Sequence, residues 1–177
     1  MPDEVKNDMN FKQAEFDVGS SARQVLSTLE RDAARLLVRL EIASQEGLRL
    51  RSDKRRLEAM LRGMISDAIQ RAPCGRVLVS AGRHGGRVYV SVVDDGEAVP
   101  GDVLAASLRE AQRMVALQGG FLDHESQQGR GTMVRIRLLD PAQARHSGPI
   151  PLPLVAERAK AATISDRARG AVGEEVG

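Results

Sequence analysis

Aromatic side chains are nearly absent from this chain: three Phe, one Tyr and no Trp among 177 residues. A core has to be assembled from Leu, Val, Ile, Met and Ala, and a nucleic-acid platform of stacking rings is excluded for want of rings. Cysteine is scarcer still. The single Cys74 rules out an internal disulfide framework and fits a reducing, cytoplasmic setting; lying between a helix and a strand, it reads as an ordinary packed or half-exposed thiol. No run approaches the roughly 18 apolar residues that a spanning helix requires, and the N-terminal Met-Pro-Asp-Glu-Val-Lys lacks the pattern of a signal peptide. Neither membrane insertion nor export is expected. An excess of one charge is absent too: 26 basic residues face 24 acidic ones, for a net charge of +2, which gives no electrostatic case for nucleic acid.

What is present is organised around Ser52 to Pro100. Leu57, Met60, Leu61, Met64, Ile65, Ala68 and Ile69 recur in steps of three and one, the spacing of one helix face. After Pro73 the period becomes two: Val77, Val79 and Ala81, then Val88, Val90 and Val92, flank a Gly82-Arg83-His84-Gly85-Gly86 turn, which predicts a hairpin of half-buried strands. The second strand runs into Asp94-Asp95-Gly96-Glu97-Ala98-Val99-Pro100, where a carboxylate fixed by a sheet beneath a bendable loop is placed to read a ligand. Upstream, residues 1–15 are polar and acidic and read as a mobile terminus. An N-cap at Asp17 then opens an amphipathic helix on Val18, Ala22, Val25, Leu26, Leu29 and Ala33 that runs to about Arg35. Val38, Leu40 and Ile42 give a strand, Leu48 and Leu50 a shorter one, and Ser52 is placed to cap the central helix. Downstream, Asp102 caps a helix carrying Leu104, Leu108, Ala111, Val115 and Leu117, which stops at Gly119-Gly120. Phe121 to Ser126 and Thr132 to Leu139 alternate as a closing hairpin. The expected fold is an α+β two-layer sandwich, a mixed sheet of about four or five strands with about three helices packed on one face.

Residues 140–177 change character. Pro141 and His146-Ser147-Gly148-Pro149-Ile150-Pro151-Leu152-Pro153 precede an Ala/Arg/Lys segment, Leu154 to Arg169, which reads as a flexible tail carrying either a transient helix or an extended recognition motif. The basic run Arg49, Arg51, Lys54, Arg55, Arg56 and Arg62 is either a solvated helix start or a docking patch for an acidic partner.

The order of elements resembles the ATP-binding domain of sensor histidine kinases, the family shared with gyrase, the heat-shock chaperone ATPase and the mismatch-repair ATPases, over residues 16–139. The family's helix reads Leu-x-Asn-Leu-Leu-x-Asn-Ala-Ile-Lys-Tyr-Thr-Pro; here the register is Leu61-Arg62-Gly63-Met64-Ile65-Ser66-Asp67-Ala68-Ile69-Gln70-Arg71-Ala72-Pro73, with both asparagines replaced. The first glycine box, Asp-x-Gly-x-Gly-x-Pro, is matched from Asp94 through Gly96 to Pro100, with Ala98 for its second glycine. The closing Gly-x-Gly-Thr is intact as Gly129-Arg130-Gly131-Thr132.

By that resemblance Asp94 accepts the adenine amino group, Gly96 lets backbone approach the base, and Thr132 supports the contact. Ala98, Gly129 and Gly131 complete the nucleotide-binding set, and Asp67 stands where an asparagine holds magnesium against the triphosphate. A carboxylate can ligate magnesium but repels phosphate without it. Gly63 occupies the position of the catalytic glutamate of hydrolysing members and cannot take a proton. The phosphate-binding Gly-Leu-Gly-Leu falls on Ala105-Ala106-Ser107-Leu108, and almost no room remains for a lid after Pro100. ATP or ADP with magnesium is therefore expected to bind weakly or not at all.

The resemblance implies three functional readings. The first is a degenerate, pseudokinase-like module of two-component signalling that docks on a response regulator or a kinase, as a monomer or weak dimer. The second is a divergent ATP domain, of the histidine-kinase or anti-sigma serine-kinase kind, that phosphorylates another chain. The third is a histidine phosphotransferase. About sixteen polar residues precede the first helix where the family's kinases carry a phosphohistidine hairpin, and His84, His124 and His146 are expected off helix faces, as surface residues. On this reading Asp94→Asn removes nucleotide binding and spares the fold.

Overall fold

The computed structural model describes residues 12–140. The first glimpse of organisation lies before the helix: Ala14–Asp17 form strand β1, so two residues assigned above to a mobile terminus belong to the fold. Asp17 ends this strand and caps helix α1 (Val18–Arg35), its carboxylate accepting the Ser20 amide at 2.7 Å. Strands β2 (Arg39–Ser44) and β3 (Arg49–Ser52) follow. β3 pairs antiparallel with β1, from Ala14 opposite Ser52 to Asp17 opposite Arg49, and makes a small separate sheet.

Helix α2 (Lys54–Arg71) is the hub. All seven residues of its apolar stripe are buried, and full burial of one such side chain is worth roughly 2 kcal/mol. Its N-cap is Asp53, which accepts the Arg56 amide, and not Ser52 as expected. Ser52 stays in β3 and donates its hydroxyl to the Gln118 Oε1 at 2.7 Å. A long-range partner thus claims the hydroxyl that local sequence offers to the helix.

Strands β4 (Arg76–His84) and β5 (Arg87–Asp94) form the predicted hairpin with a tighter turn. Gly85 and Gly86, at φ 55° and 73°, make a two-residue loop whose twist suits the flanking strands. Gly82, Arg83 and His84 remain in β4. Gly82 is small because Tyr89 lies over it: a Cβ there would stand 2.5 Å from the Tyr89 hydroxyl.

The helix expected after Pro100 is two helices, α3 (Gly101–Ser107) and α4 (Arg109–Leu117), so the described residues hold four helices where about three were expected. Asp102 sits in the first turn of α3, and Pro100 occupies the cap position without a side-chain cap bond. At the break the Ser107 hydroxyl donates to the Leu104 carbonyl, a local bond that competes with the helical ladder. Strands β6 (Phe121–Gln127) and β7 (Gly131–Leu139) close the chain.

The main sheet has the order β2-β4-β5-β7-β6; β2 and β4 are parallel and every other pair is antiparallel. Val77, Val79, Val88, Val90, Val92, Val134, Ile136 and Leu138 point to one buried face, into one core with the α1 and α2 stripes. This is the expected α+β two-layer sandwich with a five-stranded mixed sheet. No helix among the described residues is long and apolar enough to cross a membrane. The segments 149–153 and 154–169, His146 and the first eleven residues lie outside the described residues.

Candidate functional site

The C-terminal end of β5 meets the C-terminal end of α2, and four of the sequence-predicted residues gather there. Asp94 closes β5 with its side chain wholly buried. Its Oδ1 accepts the Gly96 amide at 3.1 Å, while Oδ2 accepts two bonds from Arg71, from Nη2 at 2.8 Å and Nε at 3.1 Å. Arg71, the last residue of α2, was not singled out in the sequence. Its signal was present, because it stands at the tyrosine position of the resembled helix, four residues after Asp67.

The retained glycines answer to backbone contacts. A Cβ on Gly96 would lie 2.2 Å from the Arg71 carbonyl oxygen, so the loop after β5 lies directly on the end of α2. Gly131, at φ +79°, would place a Cβ 1.8 Å from the Asp94 carbonyl oxygen. Thr132 pairs with Asp94 across β5 and β7 and is buried. Its hydroxyl shares a 2.8 Å hydrogen bond with Ser126, whose hydroxyl oxygen accepts the Val99 amide. Thr132 thereby anchors the loop that carries Ala98, a half-buried residue, and Ser126 is a second participant that sequence reasoning missed. Gly129 takes φ +72° in the β6–β7 turn, where a Cβ would meet open space; it stands apart from the cluster as a turn residue.

Asp67 is exposed on α2. With Met60, Gly63 and Met64 it forms one wall of a cleft of about 150 Å³, opposite Ser107 and Leu108. No three His, Cys, Asp or Glu side chains among the described residues converge on a metal-sized site. The segment Ala105 to Leu108, aligned above with a phosphate-binding turn, is the last turn of α3 and the break before α4. Leu108 precedes α4 and supplies no side-chain cap bond.

No family model and no curated protein matches the sequence. Solved structures do match. The catalytic domain of histidine kinase ThkA superposes with a TM-score of 0.68 at 18% identity, over 73% of this chain and 96% of that one, and another ThkA structure is a complex with the response regulator protein TrrA. The Acinetobacter baumannii histidine kinase AdeS gives 0.69 at 18% identity, over 75% and 70% of the two chains. Full-length ShkA in complex with AMPPNP gives 0.67 at 22% identity over 81% of this chain, which spans 33% of that kinase. Identities of this size speak for architecture alone: the chain has the fold of the histidine-kinase catalytic domain.

Proposed function

We propose that this chain is a degenerate histidine-kinase-type domain that has given up nucleotide chemistry and serves as a docking module in cytoplasmic two-component signalling. The observation that carries the reading is the Arg71 guanidinium bonded to Asp94. The carboxylate that would read an adenine amino group already has a cationic donor from its own chain, and a charge-assisted bond is roughly twice as strong as the neutral bond that adenine would offer. Three further features support it. The cleft of about 150 Å³ that Asp67 lines does not include Asp94, Gly96 or Thr132, so the magnesium and adenine positions of the resembled site do not share it. α3 starts directly after Pro100, leaving no length for a lid. Gly63 offers no base to activate water. The residues present therefore do not fit a magnesium nucleotide, and no catalytic step is assigned to them. The partner is a response regulator or a kinase, by analogy with the ThkA complex.

A second reading, a divergent ATP domain that phosphorylates a histidine on another chain, draws on the position of Asp67 on the cleft wall, the residue such a domain would use toward magnesium. Calorimetric titration with ATP and ADP, with and without magnesium, separates the two. The expected result is no heat up to millimolar ligand. Magnesium-dependent binding that Asp67→Ala removes would establish the second reading instead.

A further inference from the structure

The cleft between α2 and the α3–α4 pair is not an empty leftover. Its floor is Met60, Met64, Leu108 and Met114, and Asp67 and Glu110 stand on its rim from opposite sides. Met60, Met64 and Leu108 are buried, whereas both carboxylates are exposed. Gly63 opens the mouth: a Cβ there would touch nothing within 4 Å, although glycine inside a helix costs about 1 kcal/mol relative to alanine.

Charge and size together define what fits. Of the residues that line the cleft, Asp67 and Glu110 are the charged ones and both are acidic, so its rim presents carboxylates from both walls. On the α2 side, Arg56 lies on the same helical row as Gly63 and is tied to Asp53. Phosphate is repelled by such a rim, and a cation is attracted. A volume of about 150 Å³ is enough for a group the size of benzene, hence one large apolar side chain. Methionine suits such a floor, since its unbranched, polarizable side chain adapts to anchors of different shape.

We infer that this cleft is a peptide-docking site that takes an apolar anchor side chain from a basic amphipathic helix of a protein partner, in the helix-in-groove mode. The inference rests on the docking reading above and names the chemistry of the partner. The α2 wall supplies Asp67 to the flanking Lys or Arg residues of the incoming helix, and α4 supplies Glu110.

The test uses the 177-residue chain and a fluorescein-labelled helical peptide of leucine and lysine, with leucines spaced three and four apart. Its twin carries glutamate in place of every lysine. Fluorescence anisotropy is expected to show saturable binding of the lysine peptide that weakens at high salt, and none of the glutamate twin. Asp67→Lys with Glu110→Lys is expected to weaken binding about tenfold or more. Gly63→Leu fills the mouth and is expected to abolish binding while raising the melting temperature, which separates loss of the site from loss of the fold. Equal binding of both peptides, or full binding by Gly63→Leu, would overturn the inference. ATP is titrated separately, so a failed nucleotide-free reading shows as heat with ATP, and failure here shows as absent peptide binding.

Discussion

Arg71 and Asp94 decide the character of the site by a single contact. The Asp94 carboxylate is fully buried and the Arg71 side chain is 16% exposed, so solvent does little to replace either partner when the other is removed. Arg71→Met is expected to cost about 3 kcal/mol, because it strands a buried charge. Asp94→Asn, which the sequence alone reads as harmless to the fold, is expected to be destabilising as well, since it leaves the guanidinium without its counter-charge. The double replacement Arg71→Met/Asp94→Asn should cost less than the sum of its parts, the mark of coupled residues. Urea denaturation of the three variants checks this; strictly additive losses would show that the pair contributes nothing as a pair. The same residues show what was legible in advance. Asp94 could be located from its motif, yet what it bonds to could not, because its partner sits 23 residues away in a helix whose apolar stripe passes beside it.

At the scale of elements, helix α1 is bounded by two opposite kinds of end. Its N-terminus follows local chemistry. The Ser20 backbone amide, and next its side chain, hold the Asp17 carboxyl below its ordinary value, helped by Arg23 and Arg49. A carboxyl lowered in the folded state contributes its full stability above the unfolded-state value and loses it as pH falls through the folded one. Asp17→Ala is expected to cost about 1 kcal/mol near neutrality, and the gap between the two melting curves should close in acid. The C-terminus runs against local chemistry. Val38 donates its amide to the Ala33 carbonyl and Leu37 to that of Ala34, the Schellman pattern, in which the left-handed position usually belongs to glycine. Here it is Leu37, at φ 56° and 73% exposed. Leu37→Gly is expected to stabilise the protein by about 1 kcal/mol, by removing the steric cost of the left-handed turn; a lower melting temperature would contradict this. The break between α3 and α4 was hidden for a related reason: the apolar spacing of Leu104, Leu108, Ala111 and Val115 continues across it, and periodicity alone cannot register the Ser107 hydroxyl that turns back on the ladder.

For the whole molecule, two glycines of the boxes work as seams where backbones meet. Gly96 seats the β5 loop on the end of α2, and Gly131 lets the start of β7 press against the Asp94 backbone of the neighbouring strand β5. Gly131→Ala adds strain at a positive φ to a clash with a main-chain carbonyl that neither strand can yield, and is expected to cost about 3 kcal/mol or more; thermal unfolding with a melting temperature near that of wild type would refute the seam. Gly129, where a Cβ would meet nothing within 4 Å, is a turn residue and forms no such seam. By itself the sequence determined the layers. A period of three and four fixes α2, a period of two fixes β4, β5 and β7, and both follow from chain geometry that acts locally. Only the tertiary structure decided the β1–β3 ribbon, the seating of Arg71 on Asp94 and the acidic, methionine-floored cleft. Each of these joins residues distant in sequence, and such contacts are set by how packed elements approach one another, which no local period encodes.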